Sequence, residues 1–181
     1  YFNDDMFPMK ECKPTDFFRN GKGVIRVSYH VLALDMFKQI CRNSTRAARE
    51  ALGLRPTFYF MRPQHICSPM FKSECEELYN KVEPAIRKSI SRVRTGENLN
   101  QYLFLDYMYL KGKIINERIS KKHFSVGVVS ANKLRKFVTR PTHKMACIND
   151  VQLTEERYVE LRKVLLDSFD ELLPNKSKFE I

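Results

Sequence analysis

Apolar residues recur along the chain at spacings that distinguish helices from strands. The clearest helical pattern covers residues 154–173, where an apolar side chain returns every three or four positions. Thr154 is a suitable N-cap before this pattern, and Pro174 ends it. We therefore predict a helix whose apolar stripe lies in the core: Tyr158, Leu161, Val164, Leu165, Phe169 and Leu172.

The remaining pattern predicts shorter helices and strands. Helices are expected over residues 32–52, 69–80, 83–91 and 98–111, and strands over residues 24–29, 57–60, 124–130 and 143–150. Gly53 and Gly112 are stop signals for two of the helices, and Ser68 before Pro69 suits a helix start. Helices dominate, so the pattern indicates a helix-rich mixed α/β fold. No repeat or low-complexity tract interrupts it, and we expect no internal domain boundary within residues 1–181.

The composition is that of an ordinary globular protein, with 43% hydrophobic and 29% charged residues in a chain of 181. No run approaches the roughly 20 apolar residues that a membrane-spanning helix needs. The five cysteines include no C-x-x-C pair, which favours reduced and mostly buried thiols in a cytoplasmic protein. A zinc site of His65, Cys67 and Cys75 is a weak alternative, because their spacing is not that of zinc-binding motifs.

A net charge of +11 narrows the classes of partner. The basic residues cluster in three parts of the sequence, at 42–62, 87–94 and 133–144. Such clusters attract polyanions, which include nucleic acids, phosphorylated substrates and anionic membrane surfaces. The charge alone does not choose among these partners, and it is equally consistent with a solvated basic surface.

Two adjacent carboxylates, Asp4 and Asp5, stand in an apolar run near the start of the chain. Consecutive side chains of a strand point to opposite faces, so both carboxylates face one pocket only if the chain turns there. Adjacent carboxylates in an apolar place require a cation or hydrogen-bond donors as compensation. A divalent cation such as Mg²⁺ or Mn²⁺, bound together with a diphosphate, is one natural compensation. The plain alternative is an exposed acidic turn.

Other polar residues supply the remaining groups that phosphoryl transfer requires, which are a base and a cationic clamp. His65 lies in a loop before a predicted helix, where an imidazole is a candidate general base. Arg94 and Asn100 lie at the entry to another helix, a suitable place to hold a phosphate. Asn149 and Asp150 form an amide and carboxylate pair at the end of a predicted strand. Taken alone, each of these signals is weak, and His65 and Arg94 are more often a structural histidine and a surface arginine.

Three separated blocks of the sequence carry a resemblance to a known family. They are YFNDDMF with KPTDFF, then HICSPMFKS followed by RVRTGENLNQYLF and GK, and finally KMACIND with LLPNKSKFE. In this order they are similar to the second, third and fourth motif blocks of the Stealth family. These proteins are sugar-1-phosphate transferases of bacterial capsular polysaccharide synthesis. The animal lysosomal-enzyme N-acetylglucosamine-1-phosphotransferase is a distant relative of that family.

The resemblance implies that the chain is the C-terminal part of one nucleotide-sugar transferase domain. The family's first block, which helps to build the nucleotide-sugar site, has no counterpart here, and the N-terminal nucleotide-binding strands are expected to be missing. The sequence also departs from the family pattern. Val93 replaces the usual Phe, Asn98 replaces an acidic residue, and the stretch from Phe18 to His65 is short.

The resemblance also implies an active site. It assigns Asn3, Asp4 and Asp5 to a strand end that binds the donor diphosphate and a divalent cation, and it assigns four more residues to the pocket: His65, Arg94, Asn149 and Asp150. In this hypothesis a glycan hydroxyl attacks the phosphorus next to the sugar and His65 accepts the proton. Arg94 stabilises the phosphoryl charge, and a nucleoside monophosphate leaves. Residues from the beginning, middle and end of the chain are then expected to gather round one diphosphate.

The implied partners are a nucleotide-sugar donor, a UDP-hexose or UDP-N-acetylhexosamine, and a glycan acceptor. The implied location is the cytoplasm, including the inner face of a bacterial membrane beside the capsule machinery. Two alternatives remain open. A glycosyltransferase would attack the anomeric carbon and release a nucleoside diphosphate. A nucleic-acid-binding module would use the basic clusters, although these lack a recognised reading motif and the aromatic residues fit core periodicity better.

Overall fold

The computed structural model describes residues 1–149 and 153–178. The chain forms two compact units. The large unit comprises Tyr1 and Lys13–Ile119, and the small unit comprises Phe2–Cys12 and Ser120–Ile181. That residues 1–181 belong to a single catalytic domain stays a prediction.

The helices and strands are numbered in chain order across both units. They are β1 (Met6–Pro8), α1 (Pro14–Phe17), β2 (Phe18–Arg19), β3 (Lys22–Val24), β4 (Val27–His30), α2 (Met36–Ala51), β5 (Phe60–Pro63), α3 (Lys72–Ser89), α4 (Tyr102–Leu110), β6 (Ile114–Ile115), β7 (Lys121–Ser125), α5 (Ala131–Thr139), β8 (Met145–Asn149) and α6 (Glu155–Leu172).

Helices α2, α3 and α4 form a core of the large unit, to which each contributes two buried residues: Ala47, Ala48, Leu78, Val82, Leu103 and Tyr107. Helix α2 begins where the side chain of Asp35 accepts a hydrogen bond from the Lys38 N–H at 2.8 Å. It ends just before Gly53, whose φ of +65° lies in the left-handed region that glycine adopts readily.

The strands of the large unit form two small sheets. Strand β3 pairs with β2 and β6, and β4 pairs with β5.

Helix α3 is continuous where two helices were predicted, over 69–80 and 83–91. The predicted break, between residues 80 and 83, lies just before Pro84, a residue type that removes a backbone donor and usually ends or bends a helix. The structure has Pro84 inside the helix. The apolar stripe that packs against α2 and α4 continues past this proline, at Leu78, Val82 and Ile86. We infer that the burial of this stripe outweighs the lost hydrogen bond.

The strand boundaries in the large unit differ from the prediction because pairing with distant strands sets them. Residues 24–29 divide between two strands, since β3 pairs with β6 whereas β4 pairs with β5. The strand predicted over 57–60 lies later, as β5, where it pairs with β4. The helices predicted over 32–52 and 98–111 begin at Met36 and Tyr102.

The small unit is a three-stranded sheet packed with two helices. Strand β8 lies in the middle, antiparallel to β1 and parallel to β7. The core joins residues of this sheet to residues of α5 and α6, and it includes Phe124, Leu134, Val138, Ala146, Ile148 and Leu161.

The helix predicted over 154–173 is confirmed as α6. The Oγ1 of Thr154 accepts a hydrogen bond from the Arg157 N–H at 3.3 Å, as an N-cap does. Leu161 is buried, and three further residues of the stripe pack against the core: Leu165, Phe169 and Leu172. Tyr158 is 52% exposed, so the prediction that it lies in the core is wrong. Burial along α6 begins only at Leu161, one turn later.

The strand predicted over 124–130 is largely wrong. Strand β7 ends at Ser125, and helix α5, which the prediction lacked, follows with Ser130 as its N-cap. Val126 and Val129 are buried in the turn between them, so their apolar character reflects core packing rather than strand pairing. The strand predicted over 143–150 is confirmed as β8 as far as Asn149.

The helix-rich mixed α/β class is confirmed. Helices α2, α3 and α6 have 16, 18 and 18 residues, whereas the longest strands in the described part have five. Within residues 1–149 and 153–178, no helix has both the length and the apolar character needed to cross a bilayer.

The five cysteines are free thiols, and three of them are buried: Cys41, Cys67 and Cys147. This agrees with the prediction of mostly buried, reduced thiols. Among the described residues of the large unit, His65, Cys67 and Cys75 do not form a group of converging metal ligands. The zinc alternative therefore has no support in the structure.

Candidate active site

Asp4 and Asp5 occupy the turn that leads into β1. The N–H of Met6 closes this turn by donating to the carbonyl of Asn3 at 3.2 Å. Asp4 is exposed, whereas Asp5 is half-buried. The carbonyl of Asp5 accepts the N–H of Ile148 at 2.8 Å, which holds it beside β8. The two carboxylates therefore have different surroundings, and Asp5 is the one fixed against the sheet.

The side chains of Cys147 and Asn149 meet the carboxylate of Asp5. Residues two apart on a strand share a face, so β8 presents both side chains on one side. The Sγ of Cys147 donates to Asp5 Oδ2 at 3.2 Å, and the Nδ2 of Asn149 donates to the same oxygen at 3.5 Å. The alternate residues, Ala146 and Ile148, belong to the core of the small unit. Asp5, Cys147 and Asn149 are called the Asp5 cluster below.

The thiol of Cys147 is a neutral donor in this cluster. Burial raises the pKa of the Cys147 thiol to about 12, and the hydrogen bond to Asp5 contributes to the increase. The thiolate is the nucleophilic form of cysteine, so at neutral pH this protonated sulfur is a poor nucleophile. Its role here is to orient the carboxylate of Asp5.

The acidic residues of the turn fit a hard divalent cation. Mg²⁺ takes oxygen ligands, usually one or two carboxylates together with substrate phosphates and waters. Asp5 offers a half-buried carboxylate that two donors orient, and Asp4, the preceding residue, offers a second, exposed carboxylate. These two residues would hold the ion, which would supply positive charge to a bound diphosphate.

His65 lies in the loop between β5 and α3, and it is half-buried. Its Nδ1 lies 3.3 Å from the hydroxyl of Tyr102, and the direction of this hydrogen bond depends on the tautomer of the ring. Tyr102, the first residue of α4, is only 1% exposed. A buried tyrosine needs a hydrogen-bond partner for its hydroxyl. Here that hydroxyl orients the imidazole.

Asn100 and Ser44 hold Tyr102 in place. The N–H of Tyr102 donates to Asn100 Oδ1 at 3.0 Å. The hydroxyl of Ser44, a fully buried residue of α2, donates to the same oxygen at 3.1 Å and accepts the Asn100 N–H at 3.2 Å. Asn100 is therefore engaged in fixing the start of α4, and its contact with substrate stays a prediction. His65, Tyr102, Asn100 and Ser44 are called the His65 cluster below.

Arg94 is exposed in the loop between α3 and α4. Asn98 braces this loop, because its Oδ1 accepts the Thr95 N–H at 2.7 Å and its Nδ2 donates to Ser91 Oγ at 2.8 Å. An amide at position 98, where the family pattern has an acid, thus has a structural role. Within residues 1–149 and 153–178, no side chain or carbonyl hydrogen-bonds or ion-pairs with the guanidinium of Arg94.

The structure brings together four of the predicted site residues in two pairs. Asp5 meets Asn149 in the small unit, and His65 is linked to Asn100 through Tyr102 in the large unit. Three other predicted residues are not members of either cluster: Asn3, Asp4 and Arg94. Asp150 lies outside the described residues.

Sequence reasoning missed three residues that orient the predicted ones: Cys147, Tyr102 and Ser44. Cys147 was treated as an ordinary buried thiol, although its i, i+2 spacing from Asn149 on a predicted strand places both on one face. Tyr102 is one of the aromatic residues whose spacing fits core periodicity, although the hydroxyl of a buried tyrosine needs a partner. Ser44 gave no signal, because a serine within a helix has no preferred tertiary partner.

The chain is similar to bacterial proteins named as polysaccharide phosphotransferases, although no protein-family model matches it. The exopolysaccharide phosphotransferase cps2G of Lactiplantibacillus plantarum is 24% identical over 99% of the chain. The receptor polysaccharide phosphotransferase WefC of Streptococcus oralis is 25% identical over 100% of the chain. The capsular polysaccharide phosphotransferase WcwK of Streptococcus pneumoniae is 23% identical over 100% of it.

The chain spans less than two thirds of these relatives, at 62%, 64% and 64% of their lengths. The matches extend over 214, 218 and 215 positions, which is more than the 181 residues of the chain. The relatives therefore carry additional residues inside the matched region.

Proposed function

We propose that the chain forms part of a Stealth-type sugar-1-phosphate transferase, which makes phosphodiester links in a capsular polysaccharide or exopolysaccharide. The observation that carries the proposal is the similarity to three polysaccharide phosphotransferases over 99–100% of the chain. That length includes all three sequence blocks on which the resemblance to the family rests.

The proposed donor is a UDP-hexose or UDP-N-acetylhexosamine, and the proposed acceptor is a hydroxyl of a growing glycan. The hydroxyl oxygen attacks the phosphorus next to the sugar and forms a new P–O bond. The bond from that phosphorus to the bridging oxygen breaks, and UMP leaves with the electron pair. The proton of the hydroxyl passes to a base. The products are a phosphodiester between sugars, UMP and one proton.

His65 is the proposed base, and Arg94 is the proposed clamp on the phosphoryl oxygens. The hydrogen bond with Tyr102 supports the first role, because a base must be held in one orientation to meet its proton. The exposure of Arg94 in a braced loop supports the second role, because its donors remain available for phosphate.

Asp4 and Asp5 are the proposed ligands of a divalent cation. When bound, such an ion neutralises charge on the diphosphate. The orientation of the Asp5 carboxylate by Cys147 and Asn149 supports this role. The resemblance adds three substrate contacts to the proposal: Asn3, Asn149 and Asp150.

The identity of the released nucleotide tests the proposed reaction. The complete gene product, with any residues that flank this chain, is incubated with UDP-sugar and with the glycan isolated from its host. We expect release of UMP and the appearance of a phosphodiester by phosphorus NMR. Release of UDP with formation of a glycosidic bond would overturn the proposal in favour of a glycosyltransferase.

Substitution of the proposed base and clamp tests their roles in the same assay. His65→Ala and Arg94→Ala are each expected to lower turnover by about 10²–10³-fold, as the loss of a preorganised catalytic group does. Arg92→Ala removes the same charge from an exposed position of the same loop and serves as the matched control. Turnover close to that of the control in both variants would show that the assigned roles are wrong.

A further inference from the structure

One face of helix α2 carries three arginines at helical spacing. Arg42, Arg46 and Arg49 follow one another at i, i+4 and i+7, so they line one side of the helix over about 10 Å. Arg42 and Arg46 are exposed, and Arg49 is half-buried. In the described part of the chain, no carboxylate forms a salt bridge with any of them. These three residues are called the α2 arginine face.

Two of the three guanidinium groups are held in place while most of their donors stay available. Arg42 donates to the carbonyl of Val31 at 3.4 Å, and its guanidinium lies 5.7 Å from the ring centroid of Phe60. The Nε of Arg49 donates to the carbonyl of Arg55 at 2.8 Å. A guanidinium has five N–H donors, so each group can still bind an anion.

Two grooves, the second smaller and more enclosed than the first, share Arg42 and Arg46 of this face. One is bordered by Gln39 and Asn43 of α2 and by Thr95 and Glu97 of the loop that carries Arg94. The other is bordered by residues 49–59, which include Glu50, Thr57 and Tyr59. Amide, hydroxyl and carboxylate groups are natural partners for sugar hydroxyls. The walls of both grooves therefore suit a hydroxyl-rich ligand, and the arginines suit its negative charges.

Exposed aromatic rings stand at one end of this surface. Tyr59, which borders the second groove, packs edge-on against Phe58 and Tyr29, with ring centroids 5.6 and 5.2 Å away. Phe58 is 82% exposed and Tyr29 is 53% exposed. Large exposed rings have apolar faces that are available for contact. The apolar face of a pyranose ring is a chemical match for such a surface.

We propose that the α2 arginine face and its two grooves bind a polysaccharide chain that bears phosphodiesters. The inference rests on the proposed function, because each transfer of sugar 1-phosphate leaves one negative charge in the product. Such a chain combines sparse negative charges, many hydroxyls and sugar rings, which match the arginines, the polar walls and the aromatic rings. Glu50 and Glu97 in the groove walls disfavour nucleic acid, whose phosphates occur at every nucleotide. The concave grooves disfavour a flat membrane surface.

The test is a binding measurement with a matched pair of probes. One probe is a synthetic oligosaccharide of four repeats joined by phosphodiesters, and the other has the same sugars joined by neutral glycosidic links. Binding to the complete gene product is followed by calorimetry without any nucleotide sugar. We expect the triple variant Arg42→Gln, Arg46→Gln, Arg49→Gln to bind the charged probe about tenfold more weakly than the wild type, because three charge-assisted contacts are lost.

A second triple variant controls for net charge. This variant carries Lys133→Gln, Lys136→Gln and Arg140→Gln, which remove three positive charges from exposed positions in α5 and just after it. It should bind the charged probe as the wild type does. Equal weakening in both triple variants would overturn the proposal, because the attraction would then be unspecific. Equal binding of the neutral probe by the wild type would also overturn it. If the α2 triple variant unfolds, Arg46→Glu alone replaces it, since the exposed Arg46 has no hydrogen bond or ion pair with a described residue.

Two further probes separate this inference from other polyanions. Phosphatidylglycerol vesicles and a single-stranded oligonucleotide are each tested with the wild type and with the α2 triple variant. If either probe binds the wild type more tightly than the charged oligosaccharide does, and loses binding in the triple variant, the face is reassigned to a membrane or to nucleic acid. The assay does not depend on turnover. A wild-type protein that bound the oligosaccharide through α2 but released no UMP would overturn the proposed function and leave this inference standing.

Discussion

The Asp5 cluster and the His65 cluster are held in place by different kinds of bond. In the small unit, the main chain positions Asp5: its carbonyl accepts the Ile148 N–H, and the adjacent Met6 pairs with Cys147 in the sheet. In the large unit, a side-chain hydrogen bond orients the functional group, since the Nδ1 of His65 lies 3.3 Å from the hydroxyl of Tyr102. That tyrosine depends in turn on Asn100 and Ser44.

The difference predicts how each cluster responds to substitution. A sheet register is fixed by many backbone hydrogen bonds together, so a changed side chain in the Asp5 cluster leaves the backbone of Asp5 in place and alters the chemistry or the orientation of its carboxylate. A chain of side-chain hydrogen bonds loses one link with each substitution, so a change in the His65 cluster alters orientation first. Substitutions that keep the shape of the residue can separate these two responses.

The largest effect is expected for Asp5→Asn. The amide has the volume of the carboxylate, and its oxygen can still accept from Cys147 and Asn149, but it lacks the negative charge that attracts a cation. Turnover, measured as UMP release, should fall by about 10²-fold or more, with the thermal unfolding curve nearly unchanged.

Glu11→Gln is the control for Asp5→Asn, because it removes an acid at an exposed position of the same N-terminal segment. If Asp5→Asn turned over within about threefold of this control, the Asp5 carboxylate would have no part in the chemistry. A large loss of stability in Asp5→Asn would instead contradict the idea that the sheet fixes this cluster.

A smaller effect is expected for Tyr102→Phe, which removes only the hydroxyl that orients His65. The buried ring keeps its packing, and one hydrogen bond of ordinary strength is lost. We expect kcat to fall by about 3–10-fold while KM is unchanged, because the base is misaligned and substrate binding is not touched.

Tyr109→Phe is the matched control for Tyr102→Phe, since it removes a hydroxyl from the same helix that bonds to Tyr29 instead. Equal kcat in both variants would show that the orientation of His65 does not depend on Tyr102. A rise in KM without a change in kcat would place Tyr102 in substrate binding rather than in positioning.

Local sequence patterns predicted one part of the Asp5 cluster, and the pairing of two distant strands determined the other part. The apolar run that ends at Asn149 predicted β8 and the polar group at its end, because alternation and burial are local properties of a strand. The position of Asp5 beside that end comes from the pairing of β1 with β8, which joins two segments that lie far apart in the sequence. No local signal encodes such a pairing.

The same reasoning explains the errors in the helices and strands. Two helices were predicted where α3 is continuous, and the apolar stripe that continues at Val82 and Ile86 spans the predicted break. Val126 and Val129 resemble strand residues locally, yet they are buried in a turn. In each case the tertiary core decided between two local structures that the sequence permits.

The smallest effect on turnover is expected at a second buried link between α2 and α4, beside the His65 cluster. Thr45 follows Ser44 in α2, and its hydroxyl donates to Asp106 Oδ2 at 2.7 Å and accepts the Met61 N–H at 2.9 Å. Burial raises the pKa of Asp106 well above its ordinary value of 3.8. The folded protein therefore keeps a proton on Asp106 that the unfolded chain loses above that pH.

This proton links stability to pH with a definite sign. The contribution of this proton to the free energy of unfolding is fully present below pH 3.8 and is lost as the pH rises through the raised pKa of Asp106. It is lost because, between these two pH values, the unfolded chain binds fewer protons than the folded one. Asp106→Asn cannot ionise, so its free energy of unfolding should lack the decline with rising pH that the wild type shows. Urea unfolding of both proteins at a series of pH values measures this difference, and turnover should change by about twofold or less. Parallel curves for the two proteins would mean that Asp106 is ionised in the folded protein. The contact between α2 and α4 beside the His65 cluster would then be held by a buried charge rather than by a neutral hydrogen bond.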